Sequence, residues 1–166
     1  MKIFGKSLSD YFAFARLFLI LTPLAGLLRL GLSLQGVPDK TVHLLSMSAV
    51  AFIGVIYFAV RMHTTGFGSY KQLLVVVVMQ NWASQIVSIT GILLAIGTGA
   101  SNVYSNDFFP GYDGKSMLHV GAHLVIGTTV GSLVPWLIGS LILAITRKLS
   151  SSPLPTGEGG PRQRAG

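Results

Sequence analysis

The sequence predicts an all-α integral membrane protein: four transmembrane helices in an antiparallel bundle, with both termini cytoplasmic. Three observations lead there. Of 166 residues, 51% are hydrophobic and 10% charged, whereas soluble domains carry about 25% charged residues. The apolar residues fall into four runs, each close to the roughly 20 residues that a helix needs to cross the hydrocarbon core. The basic residues sit between those runs and sort by side.

The first span is expected at about 11–34. Arg16 and Arg29 interrupt it, but thirteen residues of helix separate them by roughly 20 Å, so each can extend toward its own interface. The start, "MKIFGK", resembles the basic region of a signal peptide. No small-x-small cleavage site follows, and the segment is expected to be retained. The second span runs over about 42–60, with Thr41 as its expected N-cap, and the third over about 73–96, where Ser69 and Gln72 have capping-box spacing. The fourth runs over about 117–145, capped by Ser116. Together, 1–148 form the membrane domain. The remainder, 149–166, is rich in Ser, Pro and Gly with no apolar face, and is expected to be disordered.

With the N-terminus inside, Lys2, Lys6, Arg16, Arg61, Lys71, Arg147 and Lys148 are cytoplasmic. Only Arg29, Lys40 and Lys115 lie opposite, together with Asp39, Asp107 and Asp113. That bias sets the topology, and a bacterial inner membrane is the expected location. "DKTVH" before span two and "DGKSMLH" before span four form a weak internal echo at the outer helix starts.

Three histidines share the outer side. His43 opens span two, while His119 and His123 share one face of span four. With Asp113 they make up a candidate metal set, and His43 with either partner could ligate a haem b. The plainer reading is interfacial histidines bonded to water, backbone or headgroups. In span three, Asn81, Ser84, Gln85 and Ser88 follow the i, i+3, i+4, i+7 pattern of one helical face beside Gln80. Amides facing lipid are costly, so this face should point into the bundle, where it either bonds neighbouring helices or lines a polar cavity. Gly127 and Gly131 have the spacing that permits close helix approach, and Pro135 suggests a kink. Tyr104, Phe108, Phe109, Pro110 and Tyr112 read as an aromatic belt at headgroup level.

Several classes are excluded by what is missing. There is no cysteine, so thiolate chemistry and disulfides are ruled out. No Asp or Glu lies within a span, which argues against ion-coupled transport. "GYDGKS" lacks the first glycine of a P-loop, no G-x-S-x-G occurs, and the basic residues form no nucleic-acid-binding face. The expected role is that of a small, non-enzymatic membrane module, in contact with lipid and packing against a membrane partner or a second copy. Two alternatives stay open: a haem- or metal-binding redox protein, and a passive pore or binder for a small neutral solute or quinone.

Overall fold

A computed structural model describes residues 2–106 and 111–151. Four of its helices are long and apolar enough to cross a membrane. The chain opens with a hairpin, β1 (Lys2–Ile3) against β2 (Lys6–Ser7). Phe4 and Gly5 form its two-residue turn, both with positive φ, as the tightest hairpin turns require. Ser7 then caps α1 (Leu8–Leu34), exchanging hydrogen bonds with Asp10 in a capping box.

After α1 comes a single short turn, α2 (Asp39–Val42), which ends at His43. The second long helix, α3 (Met47–Thr64), starts afresh with Ser46 accepting from the Ala49 amide. Its N-cap is therefore Ser46 and not Thr41, because Pro38 starts a separate turn that stops before the span. α4 (Tyr70–Thr98) has the expected Ser69–Gln72 capping box and ends on Gly99 in the left-handed conformation. A second short helix, α5 (Val103–Asn106), follows. The last long rod is composite: α6 (Met117–Ala122), a π-helical turn (His123–Gly127) and α7 (Thr128–Ser151). Ser116 caps it as expected, accepting from the His119 amide.

Around the bundle, α1 packs on α3 and α4, and α7 packs on the same two helices from the other side. The packing runs antiparallel: Asn81 of α4 meets Gly127, and Arg147 near the end of α7 meets Gly68 before α4 starts. One apolar core, centred on Tyr11, Phe14, Phe58, Met62, Leu73 and Leu143, fills the end near the hairpin. A second, centred on Leu30, Val42, Met47, Ile92, Val103 and Tyr104, fills the opposite end. Polar groups lie between them: Thr22, Gln80, Ser84, Ser88 and Ser132 are all buried.

Lipid tails are as apolar as leucine, so helices that cross a bilayer associate through close packing and hydrogen bonds rather than through hydrophobic burial. The ends show how both are met. At the hairpin end, Arg61 donates to the Phe14 carbonyl (3.1 Å) and the Tyr57 hydroxyl (2.6 Å), and lies over both rings. At the other end, α5 inserts between α1 and α4. Tyr104 donates to the Gly26 carbonyl (2.9 Å), and Asn102 to the Gly91 carbonyl (2.7 Å). Both glycines are needed there, since a Cβ on Gly91 would lie 2.6 Å from the Tyr104 ring.

This placement corrects two expectations. Tyr104 is only 4% exposed and plugs the bundle, so it is not part of an interfacial belt. Tyr112 is exposed, and Phe108, Phe109 and Pro110 lie outside the described residues. The echo between "DKTVH" and "DGKSMLH" does not extend to structure either. His43 ends a short turn before its span, whereas His119 lies inside a helix.

Candidate functional site

The polar face of α4 meets the composite fourth rod at the π-helical turn. In such a turn the backbone is underwound by one extra residue, so carbonyls lose their usual i+4 donors. Within hydrocarbon those carbonyls need other partners. The sequence supplies them locally and from across the interface. Thr128 Oγ1 donates to the Leu124 carbonyl, and Thr129 Oγ1 to the Val125 carbonyl (2.6 Å). From α4, Asn81 Nδ2 donates to the carbonyls of Gly127 (2.9 Å) and Thr128 (3.2 Å), and to Ser132 Oγ (2.9 Å).

Those carbonyls can only accept, and that fixes the direction of the whole chain. Asn81 must turn its amide nitrogen toward α7, leaving Oδ1 toward Gln85. Gln85 Nε2 donates to that oxygen (3.3 Å), so Gln85 presents Oε1 on its other side. Oε1 lies 2.6 Å from His123 Nδ1 and can only accept, so Nδ1 carries the proton. His119 is fixed in the same way, because its Nδ1 lies 2.8 Å from the Gly114 carbonyl. The two imidazoles are 5.0 Å apart between ring centroids. In its neutral form each therefore has the acceptor lone pair on Nε2.

The close approach that makes this possible comes from the two glycines singled out in the sequence. A Cβ on Gly127 would lie 2.8 Å from Gln85 Oε1, and one on Gly131 would lie 3.0 Å from Asn81 Oδ1. Gln80, one step around α4, turns the other way. It is 2% exposed and donates to Thr22 Oγ1 of α1 (3.1 Å). Ser84 donates back to the Gln80 carbonyl (3.3 Å).

Beside this wall lies a cavity of about 340 Å³ between α3, α4 and the fourth rod. Gln80, Asn81, Ser84, Gln85, Ser88 and His123 form its polar side. Met47, Ala51, Phe52, Val55, Val77 and Pro135 form its apolar side. Phe52 and Ser48, at the α3 rim, are exposed, so the cavity opens sideways between helices. The volume falls within the usual range for small-molecule sites, as does a lining that is largely apolar with a few converging polar groups.

The candidate metal set is arranged differently. His43 Nδ1 accepts from Arg29 Nη2 (2.8 Å), which gives it the opposite tautomer to His119 and His123. Asp113 accepts from the Lys115 amide (2.8 Å). Among the described residues, no three His, Asp or Glu side chains come together in a way that could hold a metal ion. His119 and His123 are adjacent, as their spacing requires, and His123 joins the polar face of α4. That last contact was not read from the sequence. The Thr128–Thr129 pair next to Gly127 was its only local signal. No protein-family model, curated protein or solved structure matches the chain.

Proposed function

We propose that the chain is a multi-pass membrane protein, with both termini cytoplasmic, whose cavity binds a small neutral molecule dissolved in the bilayer. The observation that carries this reading is the oriented His123–Gln85–Asn81 chain on one wall of an intramembrane cavity. Packing alone accounts for Asn81, which satisfies the π-helical turn. It does not account for an imidazole, two serines and a second amide beside about 340 Å³ of space. Empty cavities are normally apolar, and polar ones hold water or ligand. The sideways opening supports entry from lipid, and the mostly apolar lining supports a ligand with an apolar body and one hydrogen-bonding end. Gly127 and Gly131 seat Gln85 and Asn81 of the same chain, so their small size is explained without an outside partner.

The test is extraction and mass spectrometry of small molecules carried by the protein purified in mild detergent. An apolar compound near one per chain is expected in the wild type. Ala51→Phe, which fills the cavity from α3 and leaves the polar wall intact, should lose it. Identical extracts from the two proteins would refute the proposal.

A further inference from the structure

The hairpin end of the bundle carries a second pocket, separate from the cavity between α3, α4 and the fourth rod. We infer that it binds one phospholipid by its headgroup, with the phosphate on Arg61 and Lys6 and a primary ammonium, as in an ethanolamine head, on Asp10. The inference rests on the chain crossing a bilayer and is independent of the ligand proposed above.

The argument begins with Arg61. Its Nη1 donates to the Phe14 carbonyl and the Tyr57 hydroxyl, and its guanidinium lies 5.0 Å from the Phe14 ring centroid and 5.4 Å from that of Tyr57. Those two bonds use both hydrogens of one nitrogen. Nε and Nη2 have no hydrogen-bond partner among the described residues, and neither is sealed in the core. Their N–H groups project side by side from the free edge of the guanidinium, which is the geometry of a bidentate phosphate contact. The side chain is already held in place, so little rotamer freedom is lost when a phosphate binds.

Arg61 opens onto a wide pocket of about 470 Å³ that Lys6 and Asp10 share. The hairpin holds Lys6 there, with Nζ 5.0 Å from the Phe67 ring centroid, and Phe67 stacks on Phe14 at 4.2 Å in the pocket wall. Asp10 accepts from the Ser7 amide through Oδ2, and among the described residues no ion pair joins it to Lys6 or Arg61. Two cations and one carboxylate that do not pair with each other match a zwitterion carrying phosphate and ammonium. A choline head has no N–H to give Asp10, and a glycerol head gives it only a neutral hydroxyl. The depth also fits. The 18 residues of α3 span roughly 27 Å, close to the thickness of the hydrocarbon core, and Arg61 lies within the last turn. Below the pocket, Leu17 and Leu21 follow Ala13 on one face of α1, and Ile53 shares the Tyr57 face of α3. Leu17, Leu21 and Ile53 are exposed and offer the acyl chains an apolar track.

The experiment places the full chain in nanodiscs of equal parts phosphatidylethanolamine, phosphatidylglycerol and phosphatidylcholine with identical tails. Native mass spectrometry after release into detergent reads the lipids that stay bound. One lipid per chain is expected, with the ethanolamine lipid enriched about fivefold over each of the others, the effect of one exposed charge pair. Asp10→Asn, which keeps an oxygen for the Ser7 amide, should bring the ratio of ethanolamine to glycerol lipid to near unity or below. Lys6→Gln, at a side chain that donates no hydrogen bond among the described residues, should lower retention of all three. Equal retention of the three lipids by the wild type, enrichment of the glycerol lipid, or no retained lipid would overturn the inference. An ethanolamine preference that survives Asp10→Asn would do the same. Glycerophosphoethanolamine, the same head without tails, should not displace the lipid at millimolar concentration; displacement would assign the site to a water-borne phosphate and overturn the lipid reading. Ala51→Phe should leave the retained phospholipid unchanged while emptying the cavity, so the two proposals fail separately. The comparison of lipids on the wild type does not depend on any variant folding.

Discussion

Asn81→Ala is the sharpest perturbation of the fold, because the two N–H groups of one amide are shared among three acceptors at the π-helical turn. It removes donors at 2.9 and 3.2 Å from the Gly127 and Thr128 carbonyls, and at 2.9 Å from Ser132 Oγ. Interhelical hydrogen bonds in membranes average about 0.6 kcal/mol each, so the two N–H groups amount to about 1.2 kcal/mol. The loss at Thr128 is softened, since Ser132 Oγ still donates to that carbonyl at 2.6 Å. The lost contact with Gly131 acts in the opposite direction by leaving a small void. The assay is reversible unfolding in mixed micelles, with Ser132→Ala and the double variant completing a cycle. The expected coupling is about 0.5 kcal/mol, because the pair shares one bond. A second readout is specific to the direction argument: without Asn81, Gln85 is free to flip, and His123 should sample both neutral tautomers in its 15N spectrum. A stability within about 0.5 kcal/mol of wild type, together with an unchanged His123 tautomer, would refute the reasoning.

Other consequences follow from the same packing. Gly91→Ala should cost about 1–3 kcal/mol by overpacking, because its Cβ would meet the Tyr104 ring. Tyr104→Phe should cost about 1 kcal/mol through loss of the bond to Gly26; both are read by the same unfolding assay, and neutral values would mean α5 is not a plug. Cysteines placed at the exposed sites Asp113 and Thr64 should react with an impermeant reagent from outside and from the cytoplasm respectively, and the reverse pattern would invert the proposed topology.

The four spans were legible because length and hydropathy are properties of the sequence alone. Their ends were less so. α4 begins at Tyr70 and runs to Thr98, beyond the apolar stretch, since helical hydrogen bonding continues past the point where hydropathy falls. α3 starts later than expected because His43 and Leu44 belong to a separate turn. The N-terminal hairpin was not read, although Phe4-Gly5 sits between two lysines. Its stability comes from distant contacts, with Gln72 donating to the Phe4 carbonyl and Tyr11 to the Ile3 carbonyl. α5 was missed for the same reason. Asn102 organises it locally by accepting from the Tyr104 amide, but only Gly26 and Gly91, far along the chain, show that its aromatic ring points inward.

The polar stripe of α4 was legible as a periodic pattern, but a pattern gives a direction and not a partner. Gln80 and Asn81 are about 100° apart on a helix, and the bundle uses that angle. Gln80 turns to Thr22 of α1, while Asn81 and Gln85 turn to the composite rod on the other side. A central helix with neighbours on two sides needs two polar contacts. The arc between them, carrying Ser84 and Ser88, faces neither neighbour directly. Across that arc stands α3, whose facing residues Met47, Ala51, Phe52 and Val55 are apolar, with the Ser48 hydroxyl at the exposed rim. The cavity therefore lies where the α4 stripe is wider than the contacts that satisfy it. The same excess explains why His123, held through Nδ1 by Gln85 at the edge of that arc, lines the cavity.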